Sequence, residues 1–218
     1  MDVIAIARVT GLSTSEAVAR YTMRRGSLLR FQANGECVAI DGVRCTIHRG
    51  RPLACRLYPL GLERDGTQER FVRLEPAAGS AGIYGGLGSV GEFLAAQGID
   101  ERLTLNERYR PLVSILRNRV ASVTDFETVE PREFWRRAVA EALRETNHDP
   151  NQLIDAIFDV DNAGCARESI AATVEAHLAA LKAMVPCEFD ATTIAVAAVL
   201  LAVSLGYSPS EAIDCGTA

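Results

Sequence analysis

Lysine is almost absent from this chain, and aromatic residues are scarce. One lysine stands against 22 arginines, and aromatic residues make up 6% of the 218 positions. Charged residues make up 23% and apolar residues 48%. These values are typical of a globular protein and exclude a mainly disordered chain or a collagen-like fibre. The net charge of −5 argues against broad nucleic-acid binding.

Positive charge is concentrated in the first third of the chain. Residues 1–73 contain 12 arginines and 7 acidic residues, whereas the remainder is acidic. We interpret this segment as a solvated arginine-rich face, which leaves a local anionic partner open.

The chain has no strongly apolar run of the length that a membrane span needs. Residues 191–207 carry no charge, but this run of 17 residues contains several polar side chains. A spanning helix needs about 20 apolar residues, so the pattern predicts a buried core helix. We also find no signal-peptide pattern at the beginning of the chain. The expected location is therefore the cytoplasm, where thiols stay reduced.

The predicted fold is α+β and predominantly helical. A helix is expected at residues 2–9, and Ser13 with Glu16 forms the capping-box pattern of a second helix that reaches about Gly26. A small β-ribbon is expected at residues 28–48, with turns at Asn34-Gly35 and Asp41-Gly42. A helical turn follows Arg51-Pro52 and ends at Tyr58-Pro59, and a hairpin at residues 60–74 turns around Asp65-Gly66.

Three segments are predicted from these patterns. Residues 1–75 form a cysteine-containing module, residues 76–91 a glycine-rich linker, and residues 92–218 a helical region that offers a surface to a protein partner. Helices are predicted over 89–98, 104–122, 130–146, 150–160, 166–184 and 190–206. His148 and His177 are interpreted as surface histidines. No catalytic arrangement is recognisable, so an enzymatic role stays open.

Three of the six cysteines form the pattern Cys37-x7-Cys45-x9-Cys55. A turn or a proline lies near each thiol, which allows the backbone to bend around a common centre. Nearby arginines are expected to lower thiol pKa values, and the thiolate is the form that binds metals. The spacing lacks the C-x2-C pattern of common zinc folds. It therefore leaves two interpretations, a metal site and three buried inert thiols. Cys165, Cys187 and Cys215 are interpreted as buried or free thiols.

The residues around these cysteines resemble the CxxCxxCC family, also described as a zinc- or iron-chelating domain. The resemblance covers residues 2 to about 75, and the segment at residues 2–24 resembles the family's spacer. The matching positions are Asn34, Gly35, Cys37, Cys45, Ile47, His48, Arg51, Pro52, Cys55, Arg56, Tyr58 and Pro59.

The resemblance implies a zinc ion or an iron–sulfur cluster held by Cys37, Cys45 and Cys55. His48, an upstream cysteine or a distant cysteine would be the fourth ligand. The supporting residues would be Arg51, Arg56, Pro52, Tyr58 and Pro59. The motif that gives the family its name lies upstream of the spacer, and no cysteine precedes Cys37. We expect a missing N-terminal segment rather than a vestigial site.

Two alternative functions stay open at this point. Some proteins similar to this family are associated with lysine methylation in flagellin, which would make the chain a methyltransferase-like enzyme. The other alternative is a metal-free interaction scaffold with a vestigial site.

Overall fold

The computed structural model describes residues 1–23, 26–65, 68–76, 88–123, 148–161 and 169–187, together with residues 144, 190, 193, 194 and 197. In this part of the chain the fold is α+β and predominantly helical, as the sequence predicts. The strands form small two-stranded antiparallel sheets. Among the described helices, none is both long enough and apolar enough to cross a membrane.

The chain begins with two helices, α1 (Asp2–Thr10) and α2 (Thr14–Tyr21). Ser13 and Glu16 form the predicted capping box at the start of α2. The prediction that α2 continues to about Gly26 is wrong, because the chain becomes extended at Thr22. There β1 (Thr22–Met23) pairs with β2 (Leu28–Leu29).

A ribbon and a short helix follow. The strands β3 (Ile40–Asp41) and β4 (Arg44–Cys45) form a hairpin, and a 3-10 helix (His48–Gly50) leads to α3 (Leu53–Leu57). The predicted second hairpin is confirmed by β5 (Leu60–Asp65) and β6 (Gln68–Arg73).

The remaining described elements are helices. They are α4 (Val90–Ala96), α5 (Ile99–Glu107), α6 (Arg110–Val123), α7 (Pro150–Phe158) and α8 (Ile170–Cys187). The single helix predicted over 104–122 is wrong, because α5 ends before α6 begins. Pro111 has no backbone N–H to donate, so a continuous helix would lose a hydrogen bond here. The helix predicted at 130–146 and most of the one at 190–206 lie outside the described residues, as does most of the 76–91 linker.

Helix α1 packs on both sides, and this position joins the front of the chain to its helical part. Ile6 and Ala7 belong to a cluster with Ala17, Tyr21, Ala39 and Ile47. Ile4 belongs to another cluster with Leu105, Val160, Val174 and Leu178. A third cluster joins α6, α7 and α8 through Leu112, Leu116, Leu153, Ile154, Leu181 and Val185. Burial of these side chains is the main stabilising contribution to the fold.

Candidate metal centre

Cys37 is positioned by the predicted tight turn. Asn34 Oδ1 accepts a hydrogen bond from the backbone N–H of Glu36 at 3.0 Å, and Gln32 N–H donates to Glu36 O at 2.7 Å. Gly35 has a φ of 85°, a left-handed conformation that glycine adopts without steric cost. The chain then returns so that Cys37 pairs with Phe31 across an antiparallel bridge.

Cys45 lies at the end of the next hairpin. It is the partner of Ile40 across β3 and β4, and Gly42 in the connection has a φ of 57°. Cys37 and Cys45 are both partly buried, and both pack against the cluster that contains Ile6 and Ile47. The two cysteines therefore contact the same small hydrophobic core, to which α1 contributes Ile6 and Ala7.

Cys55 is the third residue of α3, and Arg56 fixes the chain around it. Pro52 lies at the N-cap of α3. The Arg56 guanidinium donates to the carbonyl oxygens of Arg51, Gln97 and Arg49 at 3.2, 2.8 and 2.6 Å. These bonds hold residues 49–56 against the end of α4.

Arg51 reinforces the same connection. Its guanidinium donates to the carbonyl oxygen of His48 at 2.7 Å and to the side-chain oxygen of Gln97. Gln97 has no role in the sequence interpretation, since no pattern links it to a segment about 40 residues away. The resemblance assigns Arg51 and Arg56 to the support of the thiolates. Both arginines thus also hold the segment before α3 to the end of α4 through hydrogen bonds.

The Cys55 thiol is affected by its partial burial and by charges around it. Its pKa is raised, chiefly because partial burial disfavours the thiolate. Negative charge at Cys37, Cys45 and Asp2 raises it further, and Arg51 opposes this effect only weakly. Arg51 lowers the pKa of this thiol as expected, but burial and the neighbouring negative charges outweigh it, so the net shift is upward.

His48 is exposed in the 3-10 helix. Its pKa is lowered, first by the charge of Arg51 and then by partial burial and by Arg56. No contact between His48 and a cysteine is present among the described residues, so its assignment as a ligand stays a prediction.

Asp2 was missed by the sequence interpretation, which treats it only as the start of a helix. Its Oδ2 accepts a hydrogen bond from the backbone N–H of Leu53 at 3.3 Å, two residues before Cys55. Its Oδ1 is buried and makes no hydrogen bond in the part of the chain that the structure describes. The nearest cation is Arg102, whose Nη1 lies 4.0 Å from this oxygen.

A mostly apolar groove of about 550 Å³ opens beside Cys55. Asp2 and Cys55 are at its wall, where Pro52, Ala54 and Tyr58 also lie. Leu28, Leu29 and Phe31 also line the groove, and Phe31 is 58% exposed. The groove gives solvent access to Cys55.

The donor set suits a thiophilic metal, but the side chains do not converge as ligands. Cys37, Cys45 and Cys55 form no disulfide, and Cys55 lines the same groove as Asp2. Among the described residues, no three His, Cys, Asp or Glu side chains are placed so that they could hold one metal ion. The chemistry of the donors fits zinc, and coordination would require these side chains to move together.

Cys165 and Cys215 lie outside the described residues, and Cys187 ends α8.

Comparison with protein-family models, with characterised proteins and with solved structures finds no match for this chain.

Proposed function

We propose that this protein binds a metal ion through the thiolates of Cys37, Cys45 and Cys55, in the manner of the CxxCxxCC family that its sequence resembles. The placement of the three thiols supports this. Cys37 and Cys45 both pack against the cluster that contains Ile6, and Cys55 lines a groove that Ile6 also lines. A divalent cation would offset the repulsion between the thiolates and release their protons on binding.

Zinc is the metal that we favour. Structural zinc sites take four ligands and accept a mixed set of thiolates with nitrogen or carboxylate oxygen. Iron–sulfur clusters normally take four cysteines, whereas the segment that resembles the family, residues 2–75, contains three. The surrounding hydrogen bonds of Arg51 and Arg56 would keep the ligand segments in place.

This function suits a reducing compartment, so we place the protein in the cytoplasm. The helical part would then present its surface to a protein partner.

The test is metal analysis of the purified protein under anaerobic conditions, together with a visible spectrum. We expect close to one zinc per chain, and reduced zinc in Cys37→Ala, Cys45→Ala and Cys55→Ala. Cys187→Ala, at the end of α8, is the matched control and should keep its zinc. If the analysis finds iron and sulfide, the bound group is an iron–sulfur cluster and not zinc. A wild-type protein that takes up neither metal would refute the proposal.

A further inference from the structure

We propose that the groove beside Cys55 is a docking site for a segment of a partner protein that combines apolar and acidic side chains. This inference does not depend on the proposed metal site. It concerns the front of the chain, whereas the sequence interpretation places a partner surface on the helical region.

Exposed apolar side chains are concentrated in the part of the chain that contributes Leu28 and Phe31 to the groove. Both residues are exposed, and Met23, the cross-strand partner of Leu28, is exposed as well. Of the ten large hydrophobic side chains that are exposed among the described residues, five lie between positions 23 and 43, the other two being Ile40 and Val43. A concentration of exposed apolar side chains is typical of an interaction site.

The shape of the groove favours a protein segment over a flat surface. The groove has a volume of about 550 Å³, and α1, β2 and α3 all contribute side chains to it, among them Ile6, Leu28 and Ala54. A planar bilayer surface cannot fill such a concavity, whereas the apolar side chains of a peptide can enter it. Phe31 is an exposed aromatic side chain of the lining, and residues of this kind often dominate the binding energy of an interface.

The charge next to the groove favours acidic groups on the partner. Arg30 is exposed, and its Nε donates to the carbonyl oxygen of Thr22, a lining residue, at 3.2 Å. No carboxylate of the described residues pairs with Arg30. The surrounding segment, residues 20–56, contains eight arginines and only two acidic residues. A carboxylate of the partner would therefore gain a charge-assisted hydrogen bond from Arg30.

Asp2 is the charged side chain among the described lining residues, and its carboxylate is already engaged. Oδ2 accepts the N–H of Leu53 at 3.3 Å, and Oδ1 is shielded from solvent. Asp2 therefore holds α3 in place, and the docked segment meets free charge at Arg30 instead.

The experiment is a selection from a displayed library of random peptides against the purified full chain. We expect the selected peptides to be rich in apolar and acidic residues. Phe31→Ser should weaken binding of a selected synthetic peptide by about tenfold, and Arg30→Gln by about threefold with a smaller dependence on salt, as measured by fluorescence anisotropy. Val113→Ser, at an exposed apolar position of α6, is the matched control and should bind as the wild type does.

A second variant tests the groove itself. Ala54 is exposed and lines the groove, so Ala54→Glu should leave the fold unchanged and repel an acidic peptide, with binding weaker by about tenfold. Selected peptides that are basic, or that bind Phe31→Ser and Ala54→Glu as tightly as the wild type, would overturn the inference. A selection without enrichment would overturn it too. If the chain then binds phosphatidylglycerol vesicles through Phe31, this surface contacts a membrane and not a protein.

Discussion

Tyr109 lies in the connection between α5 and α6, and its hydroxyl forms a hydrogen-bonded pair with the ring of His177 in α8. The Tyr109 oxygen lies 2.9 Å from Nδ1 of His177, and Nε2 lies 2.8 Å from the carbonyl oxygen of Ala156. A carbonyl can only accept, so Nε2 carries a hydrogen and Nδ1 accepts from Tyr109. The neutral imidazole is thereby fully satisfied, and the interpretation of His177 as a surface residue is wrong because it is 1% exposed.

We expect stability to fall in mild acid because of His177. Burial lowers its pKa below the ordinary 6.5, although the bond to Ala156 opposes this. The unfolded chain then binds the proton more readily than the folded protein does. The contribution of neutral His177 to the free energy of unfolding is therefore complete above about pH 6.5, and it is lost as the pH falls toward the folded-state pKa. Urea unfolding between pH 5 and 8 should show this loss, and His177→Gln should flatten it. His148→Gln, at an exposed histidine, should retain the wild-type slope.

Tyr109→Phe should destabilise the fold by about 1–3 kcal/mol, since it leaves Nδ1 of His177 as a buried acceptor without a donor. A double-mutant cycle with His177→Gln should give a clear coupling energy, measured by urea unfolding at pH 7.5. Additive effects of the two substitutions would show that the hydrogen bond contributes nothing to stability.

Local features were predictable from the sequence, and distant contacts were not. The capping box of Ser13 and Glu16, the turn before Cys37 and the hairpin after Leu60 depend on residues that are neighbours in the chain. The contacts Asp2–Leu53 and Tyr109–His177 join positions 51 and 68 residues apart. No periodicity or spacing encodes them, because each depends on how whole helices pack. The grouping of Cys37, Cys45 and Cys55 in one metal site stays a prediction, and the contact of Asp2 with the segment of Cys55 had no signal in the sequence.

Arg56→Lys should weaken both the fold and the proposed metal site. A lysine ammonium cannot reproduce the fork by which Arg56 reaches the carbonyls of Arg51, Gln97 and Arg49. We expect a loss of about 1–2 kcal/mol, seen as a melting temperature lower by a few degrees. Zinc affinity should fall as well, because Cys55 is next to Arg56 in α3. Arg49→Lys, at an exposed side chain, is the control, and an equal effect there would contradict the structural role of Arg56.

Gly50→Ala should destabilise the packing of the 3-10 helix on α1. Gly50 is buried, and an added methyl group would meet the carbonyl oxygen of Ala5 and a methyl group of Val9. Because a backbone atom cannot rotate away, the segment before α3 must shift, at a cost of about 1–3 kcal/mol. Gly91→Ala is the matched control, since an added methyl group would meet only Ser89 Oγ at an ordinary contact distance of 3.9 Å, and alanine favours a helix by about 0.5–1 kcal/mol. Urea unfolding of the two variants should give shifts of opposite sign. A Gly50→Ala protein as stable as the wild type would mean that the close approach of α1 to this turn is not needed for the fold.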